Sequence, residues 1–201
     1  GVTSMGYGVF TYCTKLSEFN GKFATSDKHC LVVDGVLKAF APADLTSYDI
    51  TDGVTRIDNY TFSYCHNLTS ISIPNSVTSI GNHAFAWCGG QKTISLPNSI
   101  TSIEDSAFWD NRALTEITIP DSVTQFGASI LGACESLTAI NSKYSTADHR
   151  AMIVDGKLIA FAPYGLTSYT IPDSVTSIGK NAFSYCYDLA SVTISNSVTS
   201  I

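Results

Sequence analysis

The chain has 201 residues, 44% of them apolar and 14% charged, with a formal charge of −6. That acidity argues against a nucleic-acid binder, which needs a basic face to release counterions. The longest uninterrupted apolar runs, 84–88 and 158–162, fall far short of the roughly 20 residues that span a bilayer. Hydroxyls stand where charge is missing, 26 Ser and 22 Thr, and they recur in a pattern that can be followed along the chain.

The first long unit, residues 20–50, contains Leu31-Val-Val-Asp34-Gly35-Val-Leu37. Two β-rich runs joined by Asp-Gly are the signal of a type I′ hairpin. A shorter phrase follows and repeats. Pro74, Pro97 and Pro120 are spaced by 23 residues, as are Thr51 and Pro74, and Pro172 and Ser195. Around Pro74 it reads Ile73-Pro-Asn-Ser-Val-Thr-Ser-Ile-Gly81, then His83-Ala-Phe85 and Cys88. Around Pro172 it reads Ile171-Pro-Asp-Ser-Val-Thr-Ser-Ile-Gly179, then Asn181-Ala-Phe183 and Cys186. A second long unit, 141–171, carries the hairpin signal at Asp155-Gly156. It returns the first unit at an offset of 121, so that Val33–Pro42 matches Val154–Pro163 and Cys13 matches Cys134.

Within each short unit, Ile71 and Ile73 alternate with Ser70 and Ser72, which predicts a half-buried strand ended by proline. Val77 and Ile80 turn inward, and Gly81 permits a turn. Ala84, Phe85 and Cys88 have the i, i+1, i+4 spacing of one short helical turn. No unit can bury its own apolar side, so neighbours must stack. The expectation is a single right-handed solenoid over 1–201, mainly β with short helical turns, a parallel sheet face, 23-residue repeats and two hairpin inserts projecting from the coil. The chain begins without Met, signal peptide or lipidation motif and stops within a repeat, so it reads as a piece cut at both ends from something longer. Uncapped edges at Val2 and Ile201 lead one to expect end-to-end association or fraying.

The phrase I-P-x-S-V-T-x-I-G-x-x-A-F-x-x-C-x-x-L closely resembles the BspA-like, or Treponema pallidum-type, leucine-rich repeats, over essentially the whole chain. The VDGxLxAFAP insert is similar to one found among such repeats in Bacteroidetes surface proteins. The departures are local: Asn111 replaces the repeat Cys, Leu131 the Phe and Gln91 the Leu, and Gly89-Gly90 loosens that same unit. The resemblance implies extracellular or cell-surface display and contact with host matrix or cell-surface proteins, other bacterial surface proteins, or glycans.

Candidate chemistry is sparse. Cys13, Cys65, Cys88, Cys134 and Cys186 share one repeat position, which predicts a ladder of buried free thiols rather than a disulfide framework. Cys30 is off-register. No CxxC pair points to zinc, no cofactor is implied, and no nucleophile, phosphate-loop or dinucleotide motif points to an enzyme. His29, His66, His83 and His149 are scattered and read as surface residues.

The strand face is the candidate site. Its outward rows are Ser47, Ser70, Thr93, Glu116, Ser168, Ser191 and Asp49, Ser72, Ser95, Thr118, Thr170, Thr193. Parallel strands sit about 4.8 Å apart, so these rows form a ladder of hydroxyls. Partner contact is expected at Ser70, Ser72, Thr93, Ser95, Glu116, Thr118, Ser191 and Thr193, with Lys92, Arg112 and Glu116 clustering in the middle coils. Trp87, Trp109, Tyr64 and Tyr185 fall on the convex turn, as further anchors or as cover for the phenylalanines. An adhesin-type interaction module and a structural spacer both fit this pattern. An ice- or carbohydrate-surface binder fits less well, because Asp, Glu and Lys interrupt the Thr rows.

Overall fold

A computed structural model describes residues 4–201, so Val2 lies outside the described residues. The strands in chain order are β1 (Cys30–Val33), β2 (Val36–Phe40), β3 (Ser47–Asp49), β4 (Arg56–Ile57), β5 (Ser70–Ser72), β6 (Ser79–Ile80), β7 (Thr93–Ser95) and β8 (Ser102–Ile103). They continue as β9 (Glu116–Thr118), β10 (Gln125–Phe126), β11 (Ala139–Asn141), β12 (Ala151–Val154), β13 (Lys157–Phe161), β14 (Ser168–Thr170), β15 (Ser177–Ile178) and β16 (Ser191–Thr193). The path is a β-solenoid, one coil per repeat.

Two parallel ladders run along it. The face ladder joins the three-residue strands: β3 to β5, β7 through β9 to β11, and β14 to β16. The second ladder joins β2, β4, β6, β8 and β10 through Leu37, Ile57, Ile80, Ile103 and Phe126. The first four of these are essentially without solvent exposure. Pro74, Pro97, Pro120 and Pro172 follow β5, β7, β9 and β14 and cannot donate to a ladder, so those coils turn there before the second strand begins.

The short helical turn expected at Ala84, Phe85 and Cys88 does not form, and no helix occurs among the described residues. The backbone takes a left-handed conformation at His83 (φ 52°) and Trp87 (φ 60°), and likewise at Tyr60 and Tyr64 one coil earlier. A residue of that kind at every fourth position interrupts helical geometry. Alternate amides then bond to the next coil instead: His83 to Asp105 O at 3.0 Å, Phe85 to Ala107 O at 2.8 Å and Trp87 to Trp109 O at 2.8 Å. The amides between them close local turns, Ala84 to Gly81 O and Ala86 to His83 O. The amides from His83 to Trp87 are thereby all bonded without a helix.

The hairpins form where expected. Asp34 and Gly35 have φ of 50° and 76°, and Asp155 and Gly156 have 48° and 76°, as a type I′ turn demands. They do not simply project. The second strand of each pairs in parallel with the short second strand of the next coil, β2 with β4 and β13 with β15, although β13 is not bonded to β10 and so begins a separate sheet. The last residue of that strand is also the coil's spine phenylalanine: Phe40 packs on Phe62 at 4.7 Å, and Phe161 on Phe183 at 4.7 Å. The spine continues from Phe62 to Phe85 at 5.1 Å and to Phe108 at 5.6 Å, and Leu131 takes the next place, buried.

Having used its length on the hairpin, a long coil has only a short link where other coils carry the convex turn. The flanking turns then meet directly. Tyr12 stacks on Tyr64 at 3.9 Å. On the far side of the second long coil, Ser129 Oγ donates to Lys180 O at 3.0 Å, and Asn181 Nδ2 donates to Ser129 Oγ at 3.2 Å.

Candidate recognition surface

Five of the seven face strands show one buried residue between two exposed ones: Tyr48, Ile71, Ile94, Ile117 and Tyr169 point inward, and their neighbours point out. In β11 Ile140 is buried between half-buried neighbours, and in β16 all three residues, Val192 included, are exposed. The registers place Ser47 beside Ser70, Asp49 beside Ser72, Thr93 beside Glu116, Ser95 beside Thr118, Ser168 beside Ser191, and Thr170 beside Thr193. All eight expected contact residues, Ser70, Ser72, Thr93, Ser95, Glu116, Thr118, Ser191 and Thr193, are exposed.

The surface differs from an unbroken ladder in three ways. β5 and β7 are not paired, next to Gly89-Gly90 and Gln91. β11 and β14 are not paired either, since the second long coil lies between them. The rows read from sequence also passed straight from Glu116 to Ser168, whereas β11 puts Ala139 and Asn141 between them. Asn141 Nδ2 bonds to the Glu116 carboxylate.

The hydroxyls of this surface fall into two sets. Those just before the strands are committed to the coil below: Thr69 donates to Thr46 O at 3.0 Å, Thr115 to Lys92 O at 3.2 Å and Thr138 to Thr115 O at 2.8 Å. The hydroxyls of Ser70, Ser72, Thr93, Ser95, Thr118, Ser191 and Thr193 make no side-chain hydrogen bond among the described residues. The first set reinforces the ladder, and the second is free to meet a partner.

Of the three expected to cluster, Lys92 and Glu116 lie at the edges of neighbouring strands, with Thr115 N bonded to Lys92 O at 2.9 Å, whereas Arg112 is engaged by other carboxylates. Arg112 lies against Asp110 at 2.6 Å and Glu135 at 3.7 Å, on the loop leading from the convex turn, while Glu116 bonds to Asn141. The Arg112 cation is therefore paired with Asp110 and Glu135.

The repeat thiols are free, as expected, but two of them do more than fill space. Cys88 Sγ donates to Phe62 O at 2.9 Å and Cys134 Sγ to Phe108 O at 3.3 Å, each reaching the preceding coil. Asn111 takes over that work, donating from Nδ2 to Phe85 O at 2.9 Å and Phe108 O at 2.8 Å. Burial pushes the Cys88 and Cys134 thiols up to about 12. Two depart from the expected burial: Cys13 is exposed and Cys186 only partly buried. Cys30, which had no evident partner in the sequence, donates to the Tyr48 hydroxyl at 3.2 Å.

The convex aromatics form columns. Tyr64 stacks on Trp87 at 4.5 Å, and Tyr60 stacks on His83 at 5.0 Å. Burial lowers the His83 pKa. Trp109 stands one position out of register with Trp87, over Gly132, and meets Tyr185 edge-on at 6.0 Å. No group of three or more metal-capable side chains occurs among the described residues.

A stack of short parallel strands, one per 23-residue coil, with a buried aliphatic centre and a phenylalanine spine, is a leucine-rich-repeat solenoid. The model of the BspA type leucine rich repeat region matches residues 37–151 and 158–201 in six copies, and the chain belongs to that family. A leucine rich cell surface protein from Faecalibacterium prausnitzii is similar, at 28% identity and a TM-score of 0.58, over 79% of this chain and 57% of its own. A leucine-rich repeat protein from Bacteroides ovatus is 31% identical with a TM-score of 0.57, over 77% of this chain and 38% of its own. The T. pallidum leucine rich repeat protein is 25% identical with a TM-score of 0.52, over 88% of this chain and 71% of its own. The chain thus spans 57% and 38% of the length of the first two. No curated protein matches it.

Proposed function

We propose that this chain is a non-enzymatic interaction or adhesion module, displayed outside the cell, that recognises its partner through the strand face. The observation that carries this reading is the division of hydroxyls: one set spent on the ladder, the other exposed and unbonded in register from coil to coil. A preformed face of this kind loses little conformational entropy on binding, which favours contact with an extended partner. Ser70, Ser72, Thr93, Ser95, Glu116, Thr118, Ser191 and Thr193 make the contact. The partner is a host matrix or cell-surface protein, another bacterial surface protein, or a glycan. Cell-surface display is supported by the similarity to the Faecalibacterium prausnitzii protein.

The test is binding of the purified chain to an array of matrix proteins and glycans, with a Thr93→Arg/Thr118→Arg variant alongside. A hit lost in the variant supports the face. Silence from both favours the second reading, a spacer that holds another domain away from the cell. The breaks in the face ladder between β5 and β7 and between β11 and β14 favour that alternative, since they shorten the continuous surface.

A further inference from the structure

The substitution of a hairpin for a convex turn leaves a slot in the solenoid wall. In the first long coil only the link from Pro42 to Leu45 passes there, tied by Ala43 N to Leu16 O at 3.0 Å and Leu45 N to Pro42 O at 3.1 Å. Tyr12 and Tyr64 close over it, their hydroxyls bonded at 2.5 Å. What remains is a cleft of about 220 Å3, whose lining includes the apolar Pro42, Leu45 and Leu68 and the polar Thr14, His66 and Asn67. The side chains of Thr14, His66 and Asn67 are exposed and make no hydrogen bond among the described residues. No Lys, Arg, Asp or Glu lines it.

We propose that this cleft binds one neutral pyranose ring, the terminal residue of a glycan. Four features select that ligand. The volume lies below the about 300–1,000 Å3 of a site for a whole drug-sized molecule, so the cleft takes a single ring of something larger. The lining carries no fixed charge to pair an anionic or cationic group. Asn67 both donates and accepts through its amide, and Thr14 and His66 do the same through hydroxyl and imidazole, which matches a rim of sugar hydroxyls. Pro42 and Leu45, both part-exposed, take the C–H face of the ring. An aromatic side chain would fill the same volume but leave the three polar groups dehydrated and unpaired, an unfavourable exchange. The site is distinct from the strand face, and neither depends on the other. At the offset of 121, Glu135 stands for Thr14 and Asp188 for Asn67, so the neutral character belongs to the first cleft.

The experiment is a titration of the isotope-labelled chain with the methyl glycosides of glucose, galactose, mannose and N-acetylglucosamine, read by amide chemical shifts, with N-acetylphenylalanine amide as the aromatic probe. At least one glycoside shifts the amides of His66, Asn67 and Leu68, with a dissociation constant near millimolar. His66→Ala and Asn67→Ala each weaken it by about five- to tenfold, the loss of one hydrogen bond. Thr93→Arg/Thr118→Arg leaves it unchanged, which separates this site from the face. The proposal is overturned if no glycoside shifts these amides, if the shifts survive in the His66→Ala/Asn67→Ala variant, or if the phenylalanine probe shifts them and the sugars do not.

Discussion

Arg56 Nη1 lies 2.7 Å from Glu104 Oε1, although a whole coil separates them. The bond is possible because the intervening coil presents only Ser79 and Gly81 at the matching positions. Acid and glycine alternate there, Asp58, Gly81, Glu104, Gly127, and Lys38 closes the other end on Asp58 at 2.8 Å. Arg56 and Glu104 are 27% and 40% exposed, so the pair adds little to stability, about 0–1 kcal/mol. Glycine matters more. A Cβ on Gly81 would fall 2.6 Å from Asn59 Oδ1 and 2.8 Å from Asn59 N. Urea melts should therefore show Gly81→Ala as clearly more damaging than Glu104→Gln. The reverse order would mean that the ion pairs, not the close approach of coils, hold this wall.

Gln91 stands where other coils have Leu68, Leu114 and Leu137, fully buried, with neither amide atom bonded among the described residues. Burying an amide without partners costs about 1–3 kcal/mol. Gln91→Leu should raise the melting temperature and the urea midpoint by a gain of that order. A fall in stability would show that the amide is paired.

Trp109 fills the space that a side chain at position 132 would need, since a Cβ on Gly132 would collide with the indole. Gly132→Val alone should be strongly destabilising, and adding Trp109→Ala should recover part of the loss. A double-mutant cycle measures this coupling, and strictly additive effects would contradict it.

The thiols supply a pH prediction. Burial raises Cys88 and Cys134 to about 12 and Cys30, despite its bond to Tyr48, also to about 12. Thiols in the unfolded chain titrate near 8.5. Because the folded values are the higher ones, stability is intact below about 8.5 and falls as pH climbs toward 12. At pH 8, a thiol reagent should modify exposed Cys13 at once and Cys30, Cys65, Cys88 and Cys134 only on unfolding. Equal rates for all five would contradict the buried ladder.

The face strands were legible because Ile71 and Ser72 alternate and the 23-residue period repeats them. Strand β11 was missed because Ala139 and Asn141 lack the hydroxyl signature. The second ladder was not seen as strands at all, since two residues such as Ser79-Ile80 are too short to alternate. Asp34-Gly35 and Asp155-Gly156 announced the hairpins, but nothing local announces that Leu37 and Leu158 will pair with Ile57 and Ile178, some 20 residues on. The helical turn was misread because Ala84, Phe85 and Cys88 fit its spacing, and a left-handed backbone at His83 and Trp87 leaves no mark when the residue is not glycine. The free hydroxyls of the candidate face could be listed from sequence. Their separation from the committed set could not, because it depends on which carbonyl lies below each Thr.

The most direct test of the recognition face is an arginine scan of three surfaces against whichever array partner binds the wild-type chain, with melting temperature as the control for folding. The variants are Thr93→Arg/Thr118→Arg on the strand face, Ser102→Arg on the second ladder and Ser106→Arg on the convex turn. The account predicts that all three fold and that only the face variant loses the partner. Loss of binding in the convex variant alone, with the face variant still bound, would contradict it.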